Sequence, residues 1–211
     1  MLELDDIQHI LLMREPAQTG RNEFLSFRNA TGGRTWLSAI AERVQSAADV
    51  RASVEREKRW VTVALTWNGL RALGVDEASL ATFPEEFRQG VVARAEMLCD
   101  TGANHPDNWV GGLASPNLHA IVILFAGDEV ERERCVTEHN KFIAQYREVE
   151  VLSSLDLAAV PPFIYARQSK PGGEREQHEL AQLVPELAIV LSGARHHLRR
   201  RCSDGSALPA H

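Results

Sequence analysis

Residues 59–74, with the sequence RWVTVALTWNGLRALG, predict a β-strand that passes directly into a helix. The strand alternates, and one face would carry four apolar side chains: Val61, Val63, Leu65 and Trp67. This period of two, with many β-branched residues, is typical of a strand with one buried face. Asn68 is expected to cap the following helix, and Gly74 to end it in the left-handed conformation. The remaining segments are interpreted as layers around this inner strand.

Three other stretches are predicted to be strands. Residues 7–13 (IQHILLM) form a short apolar run, and residues 119–127 (HAIVILFAG) form a second inner strand. Residues 148–151 alternate and lead to Leu157, which predicts a fourth strand. Residues 16–31 are predicted to be a polar loop that Phe24, Leu25 and Phe27 attach to the core.

Two long helices are predicted to cover the sheet. Residues 34–48 place their apolar side chains along one stripe of about three turns. Asp128 is followed by Glu131 at the capping-box spacing, and the helix that begins there is expected to run to about Tyr146. Residues 101–117 are predicted to be a loop in which Trp109 closes over the core.

The predicted order is strand, helix, strand, more helix, strand, helix, strand. It indicates an α+β protein of ferredoxin-like (split βαβ) type. We expect a four-stranded antiparallel sheet with helices on one face, enlarged by a helical insertion between the second and third strands. This fold carries many unrelated functions and does not by itself identify one.

Composition excludes several partners. The 211 residues carry a net charge of -6 and include 44% hydrophobic side chains, so a core is expected and nucleic acid is not an expected partner. No apolar run approaches the roughly 20 residues of a membrane helix. The first residues are acidic, unlike a signal peptide, and we expect a cytoplasmic protein. The three separated cysteines, Cys99, Cys135 and Cys202, are expected to be reduced thiols.

The sequence assigns no catalytic, cofactor-binding or metal-binding residue. His9 is interpreted as a satisfied histidine of the first predicted strand. His139 is interpreted as a core-edge histidine, because it has no visible metal-binding partners. Glu85 and Glu86 are adjacent, so on a helix they point about 100° apart and cannot serve one substrate as acid and base. Phosphate-binding glycine loops, Gly-x-Ser-x-Gly elbows and His-Glu-x-x-His helices are missing from the sequence.

Three motifs resemble the N-terminal domain of dye-decolorizing (DyP-type) haem peroxidases: residues 66–74 (TWNGLRALG), 83–90 (FPEEFRQG) and 94–103 (RAEMLCDTGA). Residues 2–8 and 24–28 are similar too, so the resemblance covers residues 1–167. It implies a ferredoxin-like domain, of which family members carry two, and haem b as the family's cofactor. Small departures are Val91, where the family tends to have methionine, and Cys99, where it tends to have glycine.

The family's catalytic groups are expected beyond this region. In relatives the segment similar to residues 161–167 (PPFIYAR) is followed by Gly-x-x-Asp-Gly, whose aspartate moves a proton of peroxide above the haem. A distal arginine and the proximal histidine that binds iron belong to the second domain. Here residues 168–173 read QSKPGG, and the nearest string, residues 201–205 (RCSDG), lacks the first glycine. No site residue can therefore be carried over.

Residues 168–211 differ in composition from the rest of the chain. They hold four of the eight histidines and six Lys/Arg against five Asp/Glu. We expect residues 1–167 to form the domain and residues 168–211 to be a non-family tail, disordered or loosely packed. Our hypothesis is a truncated or frameshifted peroxidase product that lacks the second domain and does not bind haem stably.

Three functions stay open for this sequence. The first is an inactive peroxidase fragment whose uncovered apolar surface favours self-association. The second is a remaining haem oxidoreductase in which His178, His196 or His197 replaces the lost ligand. The third is a non-enzymatic domain for ligand binding or assembly.

Overall fold

The computed structural model describes residues 3–11, 17, 19–52 and 58–157. Within these residues four strands form one antiparallel sheet in the order β2-β3-β1-β4. The strands are β1 (Thr19–Phe27), β2 (Arg59–Leu65), β3 (Ala120–Ala126) and β4 (Val149–Leu157).

The helices occupy the three connections between the strands. They are α1 (Ala30–Ala41), α2 (Ala47–Ala52), α3 (Trp67–Ala72), α4 (Glu77–Leu80), α5 (Glu85–Ala93) and α6 (Glu129–Ile143). Because α1 and α2 connect β1 to β2, α6 connects β3 to β4, and α3 to α5 lie in the middle connection, the chain has the split βαβ order. The predicted ferredoxin-like fold, including its insertion between the second and third strands, is confirmed.

The core lies between the sheet and the two long helices. Trp36 and Ile40 of α1 are fully buried, and the Trp36 ring lies 5.5 Å from that of Phe27. The other contributions are Leu25 and Phe27 from β1, Val63 and Leu65 from β2, Val122 and Leu124 from β3, and Val136 and Phe142 from α6. The alternation predicted for β2 is confirmed, because Val63 and Leu65 lie on the helix-covered face. The single buried face is not confirmed, because Trp60, Thr62 and Ala64 on the opposite face are buried as well. The prediction of an inner strand is also wrong, since β2 lies at an edge of the sheet.

The first strand lies elsewhere than predicted. Residues 19–27, expected to be a loop, form β1 in the interior of the sheet, while His9–Leu11 is a 3-10 turn. Residues 12 and 13 of the expected strand lie outside the described residues. The prediction failed because β1 carries charged side chains that find partners far along the chain. Arg21 pairs with Asp156 across the sheet at 2.6 Å, and Glu23 reaches α6.

Two glutamine side chains cover the outer edge of β2. Gln8 accepts the Val63 N–H at 3.1 Å and donates to the Val63 carbonyl at 3.0 Å. Gln45 accepts the Val61 N–H at 2.8 Å. Unpaired strand edges can pair with another chain. The side-chain amides stand in for a neighbouring strand and protect this edge.

Helices α1 and α3 begin at other residues than predicted. Helix α1 begins at Ala30 and ends at Ala41, whereas the stripe predicted residues 34–48. Its N-cap is Asn29, which accepts the Gly32 N–H at 2.8 Å. Glycines 32 and 33 are poor helix formers, so periodicity did not reveal the first turn.

Helix α3 is capped two residues earlier than predicted. Thr66, not Asn68, is the N-cap and accepts the Gly69 N–H at 2.9 Å. The Asn68 side chain instead donates to the carbonyl of Pro116 at 3.0 Å. Gly74 has φ of 72° and ends the helical turn as predicted. The cap of α6 is also confirmed, because Asp128 accepts the Glu131 N–H at 2.9 Å.

The long connection between α5 and β3 follows the loop prediction, with three short 3-10 turns at Gly102–Asn104, Pro106–Asn108 and Val110–Gly112. Trp109 does not close over the core: it is half-buried, lies outside both apolar clusters, and donates its indole N–H to the Asn104 carbonyl at 2.8 Å. Across the described ranges, no helix has the length and apolar character needed to span a bilayer.

Candidate functional site

The face of the sheet opposite α1 and α6 carries a second apolar cluster. Side chains alternate along a strand, so Phe24 of β1 and Ile121 of β3 point away from the helix-covered core. With Leu118 they are buried, at 1%, 8% and 5% exposure. Four partly buried residues surround them: Leu113, Ile123, Leu152 and Leu155. We call these seven residues the second sheet face.

A polar group lies within the second sheet face. Asn22 pairs across the sheet with Ile123 on one side and with Leu155 on the other. Its Oδ1 is buried, and no described residue donates a hydrogen bond to it. A buried acceptor without a donor costs about 1–3 kcal/mol. An N–H or O–H group from a molecule docked on this face would recover that free energy.

The end of the insertion covers part of the second sheet face. Gly111 adopts φ of 76°, and its carbonyl accepts a hydrogen bond from Ser153 of β4. A Cβ at this position would lie 2.9 Å from Leu155 and 3.1 Å from Phe24. Glycine is therefore needed both for the left-handed backbone and for the close approach.

Two of the described histidines are buried and have polar neighbours. His9 is fully buried, with Nδ1 3.2 Å from the carbonyl oxygen of Gln45. His139 is 3% exposed, and its Nε2 lies 3.2 Å from Oε2 of Glu23, itself 2% exposed. These two atoms are within ion-pair distance, but their geometry is not that of a hydrogen bond. Both histidines lie in the core, although His9 belongs to a 3-10 turn and not to the predicted strand.

The other described histidines have local roles. His119 Nδ1 accepts the Phe27 N–H at 2.8 Å, which requires a ring nitrogen without a proton. Burial lowers the pKa of His119, and this favours the neutral ring that can accept. His105 is exposed and lies 3.3 Å from Asp107.

These histidines do not fit a haem site. An axial histidine needs a free ring nitrogen that faces an apolar slot for the porphyrin. His139 borders a cavity of about 410 Å³ whose lining includes five charged side chains, which a porphyrin would have to desolvate. His9 is enclosed beside the backbone carbonyl of Gln45. Among residues 3–11, 17, 19–52 and 58–157, no group of three metal-binding side chains occurs either.

The adjacent glutamates and the two described cysteines show no sign of a catalytic site. Glu85 and Glu86 are exposed in the first turn of α5, where carboxylates favour the helix dipole. Cys99 and Cys135 are free thiols. Cys99 has φ of 64°, a conformation that favours glycine, so the backbone keeps a glycine-like turn where the resembling family tends to have glycine.

Several residues from the sequence analysis lie outside the described part of the chain. They are His178, His196, His197, Cys202, Asp204 and residues 161–167. The predicted domain boundary at residue 167 and the predicted tail fall there too.

Comparisons with known proteins point to one family. The family profile described as "DyP dimeric alpha+beta barrel domain" matches residues 6–155. A dye-decolorizing peroxidase of Exidia glandulosa is 24% identical over 189 residues, which are 89% of this chain and 34% of that protein.

Solved structures agree on the fold. A crystal structure of DyP superposes with a TM-score of 0.64 at 20% identity, over 76% of this chain and 34% of that one. The decolorizing peroxidase of Auricularia auricula-judae gives a TM-score of 0.62 at 22% identity, over the same shares. The chain therefore spans about a third of the length of these relatives.

Proposed function

This chain belongs to the dye-decolorizing (DyP-type) peroxidase family, with the DyP dimeric alpha+beta barrel domain over residues 6–155, and we propose that it is the N-terminal, non-catalytic domain of such an enzyme. In this proposal the domain is a folded assembly unit that uses the second sheet face to pack on another α+β domain. Haem-dependent peroxide reduction and oxidation of dyes or other organic donors belong to the complete proteins.

The second sheet face carries this proposal. Large apolar side chains that are only partly covered mark interaction surfaces, and Ile123 and Leu155 flank the unsatisfied acceptor of Asn22. The description of the matching domain as dimeric supports an occupant of the same fold. We therefore propose self-association of this chain through that face.

The extent of the domain and its compartment are part of the proposal. We place the end of the family domain near residue 167, because the resemblance stops there, and treat residues 168–211 as a tail without a family role. The free thiols of Cys99 and Cys135 support the cytoplasm as its compartment.

Hemin titration tests the non-catalytic role. The full chain is expected to give only the broad Soret absorbance of loosely bound hemin and no peroxide-dependent dye oxidation, because the described histidines lack an apolar slot beside a free nitrogen. A full-length dye-decolorizing peroxidase, assayed in parallel, should give a sharp band and turnover.

A sharp Soret band with turnover from this chain would contradict the proposal. It would favour the alternative in which a tail histidine binds the iron. The triple variant His178→Ala, His196→Ala, His197→Ala would then identify the source, since loss of the band would place the ligand in the tail.

Self-association is expected to depend on the second sheet face. The variants Ile123→Asp and Leu155→Asp place a charge at partly buried apolar positions, which a docked surface would have to desolvate. Light scattering coupled to size exclusion should show a dimer for the unmodified chain and a monomer for both variants at the same concentration.

The matched control is Val130→Asp. Val130 lies on α6 and is 62% exposed, so the same chemical change there should leave the dimer intact. A monomeric unmodified chain, or folded Ile123→Asp and Leu155→Asp proteins that stay dimeric, would contradict the assigned interface. Circular dichroism of each variant establishes that it is folded.

A further inference from the structure

A cavity lies on the helix-covered side of the sheet, away from the second sheet face. Its volume is about 410 Å³, which falls in the range of small-molecule sites. Its floor is apolar, formed by Val61 of β2 and Leu124 of β3. The other lining residues come from α6, from the start of β2 and from the segment after α1: Arg43, Gln45, Lys58, Arg59, Glu131, Cys135, Glu138 and His139.

Four of these residues share one face of α6. Glu131, Cys135, Glu138 and His139 follow a spacing of four, three and one, which places them along one side of the helix. Cys135 and His139 are buried, at 7% and 3% exposure, and form the inner wall. The cavity thus combines an apolar floor with a few convergent polar groups, as ligand sites do.

The charged side chains of the cavity are paired, with one exception. Arg59 pairs with Glu138 at 2.8 Å and with Glu131 at 3.4 Å. Lys58 pairs with Asp128 at 3.5 Å. The lining therefore has three cationic side chains against two carboxylates, and the excess positive charge belongs to Arg43.

Arg43 is held in place without a carboxylate. Its guanidinium carbon lies 4.1 Å from the ring centroid of Phe142, a cation–π geometry. No carboxylate of the described residues lies within ion-pair distance of it. A guanidinium offers two parallel N–H groups that match a carboxylate, and this fork is free to bind one.

We propose that this cavity binds a small organic carboxylate. The carboxylate is held by Arg43, and a short apolar body lies against Val61 and Leu124 beside the Cys135 thiol. This binding site is separate from the assembly role of the second sheet face and does not depend on it.

Cys135 provides a reporter inside the cavity. Iodoacetate is itself a small carboxylate, and iodoacetamide is its neutral counterpart. With either reagent Sγ attacks the CH₂ carbon, the C–S bond forms as the C–I bond breaks, iodide leaves, and the thiol proton passes to the buffer. Burial raises the pKa of the Cys135 thiol, so the reaction is slow with both reagents. The ratio of the iodoacetate rate to the iodoacetamide rate is independent of the thiol pKa, because the raised pKa slows both reactions equally.

The expected result is a rate ratio of iodoacetate to iodoacetamide at Cys135 about tenfold higher than at the exposed Cys99, because a charge-assisted hydrogen bond supplies roughly that factor. Peptide mapping by mass spectrometry on the full chain measures both sites in one sample. Arg43→Gln should reduce the ratio at Cys135 to the value at Cys99.

Two controls complete the experiment. Arg71→Gln removes the same charge from an exposed position on α3 and should leave the ratio unchanged. Benzoate, but not benzamide, should slow alkylation at Cys135 and leave Cys99 unaffected. Equal ratios at the two cysteines, no protection by benzoate, or an unchanged ratio in Arg43→Gln would overturn the proposal.

Discussion

Gly69→Ala is expected to lower the free energy of unfolding by about 3 kcal/mol or more, the upper part of the range for overpacked sites. A Cβ at position 69 would overlap the carbonyl oxygen of His119 and lie 2.7 Å from its carbonyl carbon. Both are backbone atoms and cannot rotate away. Alanine's helix propensity would return only about 1 kcal/mol.

The start of α3 cannot shift to relieve this overlap. Thr66 donates its hydroxyl to the Leu118 carbonyl at 2.6 Å and its N–H to the His119 carbonyl at 3.1 Å. These bonds hold the helix against the segment that enters β3, so alanine would have to break at least one of them.

Urea unfolding followed by circular dichroism measures the loss, with Gly127→Ala as the matched control. A Cβ there would lie 3.3 Å from Cβ of Lys58 and 3.5 Å from its Cγ, without overlapping a backbone atom. We therefore expect a loss clearly smaller than that of Gly69→Ala. A Gly69→Ala protein as stable as the unmodified chain would contradict the close packing of α3 on β3.

His139→Leu is expected to lower the free energy of unfolding by about 1–3 kcal/mol, because it leaves the buried carboxyl group of Glu23 without its polar neighbour. Glu23 and His139 are 2% and 3% exposed, and their atoms approach to 3.2 Å where α6 packs on β1. Leucine fills most of the imidazole volume, so the loss reports the carboxyl group of Glu23 left without a polar neighbour rather than a void.

The double variant Glu23→Met, His139→Leu distinguishes charge from packing. Replacing a whole buried pair by apolar side chains is often neutral, so the double variant should be clearly more stable than His139→Leu alone. Strictly additive losses in this double-mutant cycle would contradict an interaction between the two side chains.

His105→Leu is the surface control for the same change. His105 lies 3.3 Å from Asp107, but their side chains are 51% and 86% exposed. An exposed pair contributes little, so we expect a change below about 0.5 kcal/mol. The contrast isolates the effect of burial from the loss of a histidine–carboxylate contact.

Sequence patterns identified the elements whose apolar residues follow a regular spacing, namely β2, β3 and α6. The alternation from Val61 to Leu65 and the apolar run of β3 predicted two strands, of which β3 is an inner strand and β2 an edge strand. The Asp128 cap predicted the start of α6. These signals are local, because each depends on residues a few positions apart. The family resemblance, carried by residues 66–103, agreed with the fold that these elements form.

The first strand was mispredicted because its polar residues are balanced at a distance. Arg21 and Asp156 are separated by 135 positions, and Glu23 meets His139 only when α6 packs on the sheet. A run of such residues has the local composition of a loop. Burying it in the sheet becomes favourable only through those partners.

By itself, the sequence determined the order of the elements, the ferredoxin-like class and the family, since apolar periodicity and motifs are properties of neighbouring residues. Only the tertiary structure decided which segment forms the first strand and which side chains surround the cavity beside Arg43. It also decided that Asn22 lies between Ile123 and Leu155 in the sheet. These features join residues from separate elements. Their free energies arise when the chain folds and desolvates charged and polar groups together.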